Sequence, residues 1–224
     1  MIPTAIAVLF CLVVFACLLV MLKAFHNSKV FLIFCLSWLL LQTILSLKGF
    51  YTDVNEIPPR IILLPLPPFI IILLFFVIKP GRKFLLQCNM YYLTLLHTIR
   101  IPVELCLLLL FYQKLIPEEM TFEGKNFDII SGITAPFITY LLLKRNKSRL
   151  KLILIWNIVC LLLLLNVVTN GILSAPSVFQ QINFDQPNIA ILYFPLVWLP
   201  SFIVPCIFFA HLISIYQILH TRKK

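Results

Sequence analysis

The sequence predicts an all-α fold: a polytopic transmembrane helical bundle of seven helices, with the N-terminus outside and the C-terminus cytoplasmic. Composition, the length of the apolar runs and the segregation of charge carry that expectation. Of 224 residues, 62% are hydrophobic and 12% charged, whereas a soluble domain carries roughly 25% charged residues to keep its surface wetted. A bilayer-spanning helix needs about 20 mostly apolar residues. Unpaired amides are not tolerated in lipid, so the alternatives are helices or a closed barrel, and continuous runs such as Leu161 to Leu165 exclude alternating barrel strands.

Read in order, the chain forms one integral membrane domain over residues 1–224, with helices at about 2–22, 30–47, 60–78, 85–116, 128–143, 150–173 and 190–219. No positive residue precedes the first run and Lys23 follows it, as expected of a retained first helix rather than a cleaved leader. The third helix begins among Pro58, Pro59, Pro65, Pro67 and Pro68, so kinked or unwound backbone is expected there. The fourth, with Pro102 inside it, would be about 45 Å long, more than the hydrocarbon core requires. Pro195, Pro200 and Pro205 should curve the seventh.

Orientation follows from the cations. Lys23, Lys29, Lys79, Arg82, Lys83, Lys144, Arg145, Lys147, Arg149, Lys151, Arg222, Lys223 and Lys224 fall on one side with no acid among them. Lys48, Arg60, Lys114 and Lys125 fall on the other with Asp53, Glu56, Glu118, Glu119, Glu123, Asp128 and Asp185. Only an odd number of crossings gives that pattern. The net charge of +10 therefore reads as topology and attraction to anionic lipid, not as nucleic-acid binding. The sequon Asn146-Lys147-Ser148 lies on the basic side, away from glycosylation. All seven cysteines sit in apolar runs without a CxxC pair, so disulfides and structural zinc are not expected.

Ionisable residues deep in a membrane helix cost about 2.5–3.5 kcal/mol each and default to a functional-site hypothesis. The fourth helix supplies His97, Arg100 and Glu104 within an arc of about 60°, and Asn89 widens it to about 80°. Arg100 and Glu104 stand at i, i+4, the spacing of an ion pair, around the carbonyl that Pro102 frees. A self-neutralised pair holding the bundle in register is the bland alternative. His211 stands at a depth comparable to His97, and two facing histidines could ligate haem or, with Glu104, a metal. Asn157, Asn166 and Asn170 line another helix, suited to interhelical hydrogen bonds or to a cavity wall. In the outer loop, Glu118, Glu119 and Glu123 could collect cations, with Asn126 or Asp128 as a helix cap. No Lys lies in the apolar interior of a predicted helix, so a retinal Schiff base is not expected, and no GxxxxGK[ST], HExxH or GxSxG motif occurs.

The stretches His97-Thr98-Ile99-Arg100-Ile101-Pro102-Val103-Glu104 and Met120 to Asp128 resemble segments of uncharacterised small multi-pass membrane proteins of Bacteroidota. The resemblance covers about the central third of the chain and implies a bacterial inner-membrane location without a known activity. Three functional readings follow from the residues. The leading one is a small transporter or binding protein for an ion, proton or small polar solute at the polar stripe, with no cofactor. The second is a haem- or metal-dependent oxidoreductase using His97 and His211. The third is a sensor or assembly subunit that works through a protein partner.

Overall fold

In the computed structural model the chain is all-helical, and no strand occurs among the described residues, 2–142 and 147–221. Lys144, Arg145, the sequon's Asn146 and the C-terminal cations Arg222, Lys223 and Lys224 lie outside them. The helices are α1 (Thr4–Ala24), α2 (Lys29–Leu47), α3 (Leu66–Val77), α4 (Lys79–Gln87), α5 (Met90–Leu96), α6 (Arg100–Tyr112), α7 (Ile129–Leu141), α8 (Lys147–Ser174) and α9 (Val204–Thr221). Five stretches are long and apolar enough to cross a membrane: α1, α2, the α5–α6 rod Met90–Tyr112, α8 from Arg149, and Leu199–His220. α3 and α7 are apolar but shorter. The outward faces of α1, α2, α3, α7 and α8 carry exposed Leu12, Leu40, Leu73, Phe137 and Leu162, a surface that water would not tolerate over this extent.

Three expected boundaries are corrected. The fourth predicted helix does not start at 85. Residues 79–87 form the separate α4, the chain breaks at Cys88 and Asn89, and the rod runs from Met90 to Tyr112, which at 1.5 Å per residue is about 35 Å. Asn89 caps α5 by accepting from the Tyr91 N–H, an N-cap role that removes it from the polar stripe. The third predicted helix starts as a 3₁₀ turn, Arg60–Leu63, and becomes α-helical at Leu66, because Pro65, Pro67 and Pro68 cannot donate inside a regular helix but can open one. The seventh does not begin at 190. Residues 190–192 form a 3₁₀ turn, and a π-turn, Leu199–Ile203, leads into α9.

Pro205 has no N–H to offer the Ser201 carbonyl one turn back, and Trp38 Nε1 donates to that carbonyl at 2.9 Å. The proline bend thus creates the acceptor that docks α2 onto the start of α9.

The two ends of the bundle are tied differently. At the basic end the α1–α2 turn holds the α4–α5 junction, with Asn89 N–H donating to Ala24 O and His26 Nε2 within 2.8 Å of Gln87 O. Gln217 of α9 donates to Leu85 O and Cys88 O, satisfying carbonyls that the end of α4 would leave orphaned. Met90, Ile138, Leu142, Ile153 and Ile218 pack there into an apolar plug. At the acidic end the loops fold inward. Ser46 Oγ donates to Leu192 O, and the Ile189 and Ala190 amides donate to Leu115 O. Buried Tyr51 donates its hydroxyl to Gln42 of α2, and burial pushes the phenol up to about 12, so it remains a donor at neutral pH.

Candidate functional site

Arg100 is the bulkiest of the fully buried side chains, 1% exposed. An unpaired guanidinium in that position would be prohibitive. Its partners come from three elements. Nη1 donates to Asp128 Oδ1 at 2.8 Å and reaches Cys160 O of α8 at 3.5 Å, and Nη2 lies 2.9 Å from His211 Nε2. The expected Arg100–Glu104 pair does not form. Asp128, immediately before α7, takes that place from across the helix interface, while Glu104 stands one turn along the same helix as Arg100. Glu104 is instead held by Asn126, whose Nδ2 donates to Oε2 at 2.7 Å.

The loop between α6 and α7 therefore enters the site rather than remaining solvated. Asn126 donates to Met120 O as well, and its Oδ1 accepts from the Asp128 N–H. One side chain thereby holds Glu104 and orients Asp128. Asp128 occupies the N-cap position of α7 without capping it, its carboxylate being committed to Arg100. Gly132, one turn further along, allows the approach, since a Cβ there would lie 2.9 Å from Ile101 Cγ1 and 3.3 Å from Arg100 Cβ. The other predicted loop acids remain outside the site. Glu118 is exposed, Glu119 lies 4.0 Å from Lys125, and Glu123 accepts from the Tyr112 hydroxyl.

His97 and His211 are adjacent, as depth alone could not establish: their rings stack with centroids 3.9 Å apart and planes 20° apart. A guanidinium only donates, so His211 Nε2 must accept, which leaves the ring neutral with its proton on Nδ1. Nδ1–H then donates to Asn157 Oδ1 at 2.9 Å, and Asn157 Nδ2 donates to Ile153 O. With both His211 nitrogens engaged, the pair offers only His97 to a metal ion. No group of three His, Cys, Asp or Glu placed to hold a metal occurs among the described residues. His97 is fully buried against His211 and the edge of Trp156, and neither of its nitrogens has a protein partner.

Asn166 and Asn170 are corrected. Asn166 is exposed and fastens the loop at the acidic end by donating to Lys125 O, while Asn170 donates to Asn166 Oδ1 within the same helix. Asn157, three turns nearer the basic end, is the α8 residue of the site. Sequence had placed it among the helix asparagines without separating it from the others, and its spacing from His211 carries no signal of contact.

Arg100, Glu104 and Asp128 form one wall of a cavity of about 370 Å³. The remaining wall is mostly apolar, with Val103, Leu107, Leu164, Val167, Ile203 and Ile207 prominent. Two carboxylates face a single guanidinium. Once Arg100 and Asp128 cancel, Glu104 is one acid in excess, and in a low-dielectric pocket it needs a proton, a cation or further donors. An anion has no free positive charge to meet here.

An all-helical bundle with five candidate membrane-crossing helices and a buried charged layer is the class of protein that these observations define. The chain belongs to the family described as Domain of unknown function (DUF8737), whose match runs over residues 58–219. That stretch contains every residue of the charged layer. No curated protein and no solved structure matches the chain.

Proposed function

We propose that this chain is a small membrane transporter or binding protein, and that its cavity takes a proton or a small solute bearing a positively charged or hydrogen-bond-donating group at Glu104. The observation that carries the reading is the excess carboxylate: Glu104, 2% exposed, lines an otherwise apolar cavity beside an Arg100–Asp128 pair that is already neutral. The apolar wall suits a solute with a hydrocarbon portion, and the excess acid suits its cationic end. Access is from the acidic end, since the cavity includes Ala175, Ser177 and Asn188 near that end, while the apolar plug closes the basic end.

The reading includes seven spans. The five long helices are joined by α3 and α7, whose 12 and 13 residues rise about 18–20 Å. The inward-folded backbone around Arg60–Leu63 and the loop before α7 complete the thickness. The basic end faces the cytoplasm with the C-terminus, and the N-terminus lies outside. The expected resemblance of the 97–104 and 120–128 stretches to Bacteroidota membrane proteins would place the chain in a bacterial inner membrane.

Purified protein in liposomes would be assayed for flux and binding of H⁺, Na⁺, K⁺ and alkylammonium ions of increasing chain length. Glu104→Gln keeps the shape and the bond from Asn126 but removes the charge. A charge-assisted bond contributes about 1.5–3 kcal/mol, so this variant should lose at least tenfold in affinity or rate for one of these cations. The proposal is abandoned if Glu104→Gln and Arg100→Leu leave every flux and binding event unchanged.

A further inference from the structure

A second cavity, about 550 Å³ in volume, lies between α2, α3, α4 and α9, and none of Arg100, Glu104 and Asp128 lines it. Its lining is apolar and aromatic, including Phe31, Cys35, Ile71, Phe75, Phe84 and Phe209. Along α2 it runs from Ser28 to Trp38, ten residues or about 15 Å. That length is about half the hydrocarbon thickness of a bilayer, the depth of one leaflet. The Trp38–Ser201 bond closes it at mid-depth.

At the shallow end lies α4, Lys79-Pro80-Gly81-Arg82-Lys83-Phe84-Leu85-Leu86-Gln87. Pro80, Gly81 and Phe84 line the cavity, and Lys79, Arg82 and Lys83, each about 100° around the helix from the nearest of them, are exposed at its margin. Lys29 is exposed on the facing rim, next to the lining residues Ser28 and Val30. None of these four cations has an ion pair among the described residues. The chain carries no acid before Asp53 and none between Glu56 and Glu104. α4 is also held in place. A Cβ on Gly81 would lie 2.5 Å from Phe75 O, so α4 folds directly onto α3, and Gln217 and His26 fasten its far end.

A slot one leaflet deep, apolar throughout and rimmed by four unpaired cations, is complementary to a molecule with an acyl chain and an anionic head. We infer that this groove is a binding site for an anionic phospholipid of the basic-side leaflet, with one acyl chain between α2 and α3 and the phosphate at Lys79, Arg82, Lys83 and Lys29. Cations near a membrane surface attract anionic lipid individually, and the groove adds a fixed location. The phospholipid acts here as a bound component of the fold, apart from the solute site at Glu104.

The test uses the full chain in nanodiscs, with phosphatidylglycerol compared against phosphatidylcholine, reading the lipid retained on native mass spectrometry and the thermal midpoint. Wild type should retain phosphatidylglycerol preferentially and gain in midpoint from it. The triple change Lys79→Gln, Arg82→Gln, Lys83→Gln alters exposed side chains only and should reduce that preference at least tenfold. Ile71→Trp leaves every charge in place and fills the groove, and it should reduce the preference comparably. If Ile71→Trp retains the full preference, the attraction is diffuse surface electrostatics and the site is overturned. Equal retention of the two lipids by wild type, or full displacement of phosphatidylglycerol by inorganic phosphate, overturns it as well. Neither outcome depends on Glu104.

Discussion

Arg100 and Arg82 are the same residue in two regions of one bundle, and they are treated in opposite ways. Arg100 is 1% exposed and draws partners from α7 and α9: Asp128 and His211, the latter fixed in turn by Asn157 of α8. Arg82 lies on the exposed face of a short helix with Lys79 and Lys83, and none of them has an acidic partner among the described residues. The difference is one of solvent. A charge deep in an apolar bundle must bring its own counter-charge and hydrogen bonds, whereas one at the rim is served by water or lipid headgroups, with its aliphatic stem against apolar surface. The deep region converts charge into a fixed arrangement of side chains, and the rim leaves charge available.

That contrast is open to direct attack. The largest expected effect is at the deep layer: Arg100→Leu leaves Asp128 buried without a counter-ion and should cost about 3–5 kcal/mol, read as a fall in the thermal midpoint in detergent. Arg100→Leu combined with Asp128→Leu should recover at least half of that loss. If the double variant is no better than the single one, the layer is held by something other than charge pairing.

An intermediate effect is expected at Gly81, where alanine would drive a methyl group into the Phe75 backbone. Overpacking of this kind costs about 1–3 kcal/mol, so Gly81→Ala should lower the midpoint measurably and raise amide exchange in α4. An unperturbed Gly81→Ala would mean that the α3–α4 hairpin is looser than its geometry. The smallest effect belongs to the exposed stripe. Neutralising Lys79, Arg82 and Lys83 together should move stability by no more than about 0.5 kcal/mol in neutral detergent, and a larger loss there would erase the contrast.

Much of the site could be read from the sequence, but the pairing within it could not. His97, Arg100 and Glu104 are conspicuous because ionisable residues are rare in apolar runs, and the i, i+3, i+7 spacing places them together on one face of a helix. The same spacing suggested the wrong ion pair. Local proximity is a rule for isolated helices, and here a partner on another helix offered better geometry to the guanidinium. Asn126 and Asp128 were visible as cap candidates in a polar loop, yet nothing in the loop's composition indicated that it folds inward. Asn157 differed from Asn166 and Asn170 only in which helix end it was near. The prolines announced broken helices correctly, although the positions of the breaks depended on which carbonyls found other donors, as Ser201 O did with Trp38.

The sequence alone determined the all-helical class, the segregation of basic from acidic ends and the presence of a buried charged stripe, because hydropathy, helix periodicity and the cost of burying charge are properties of short segments. Tertiary structure decided which acid neutralises Arg100, that His97 stacks on His211, that Glu104 is the surplus carboxylate at a cavity, and that α4 forms the rim of a leaflet-deep groove. Each of these depends on contacts between residues far apart in the chain, where the relative rotation and depth of whole helices choose the partner and no local pattern records the choice.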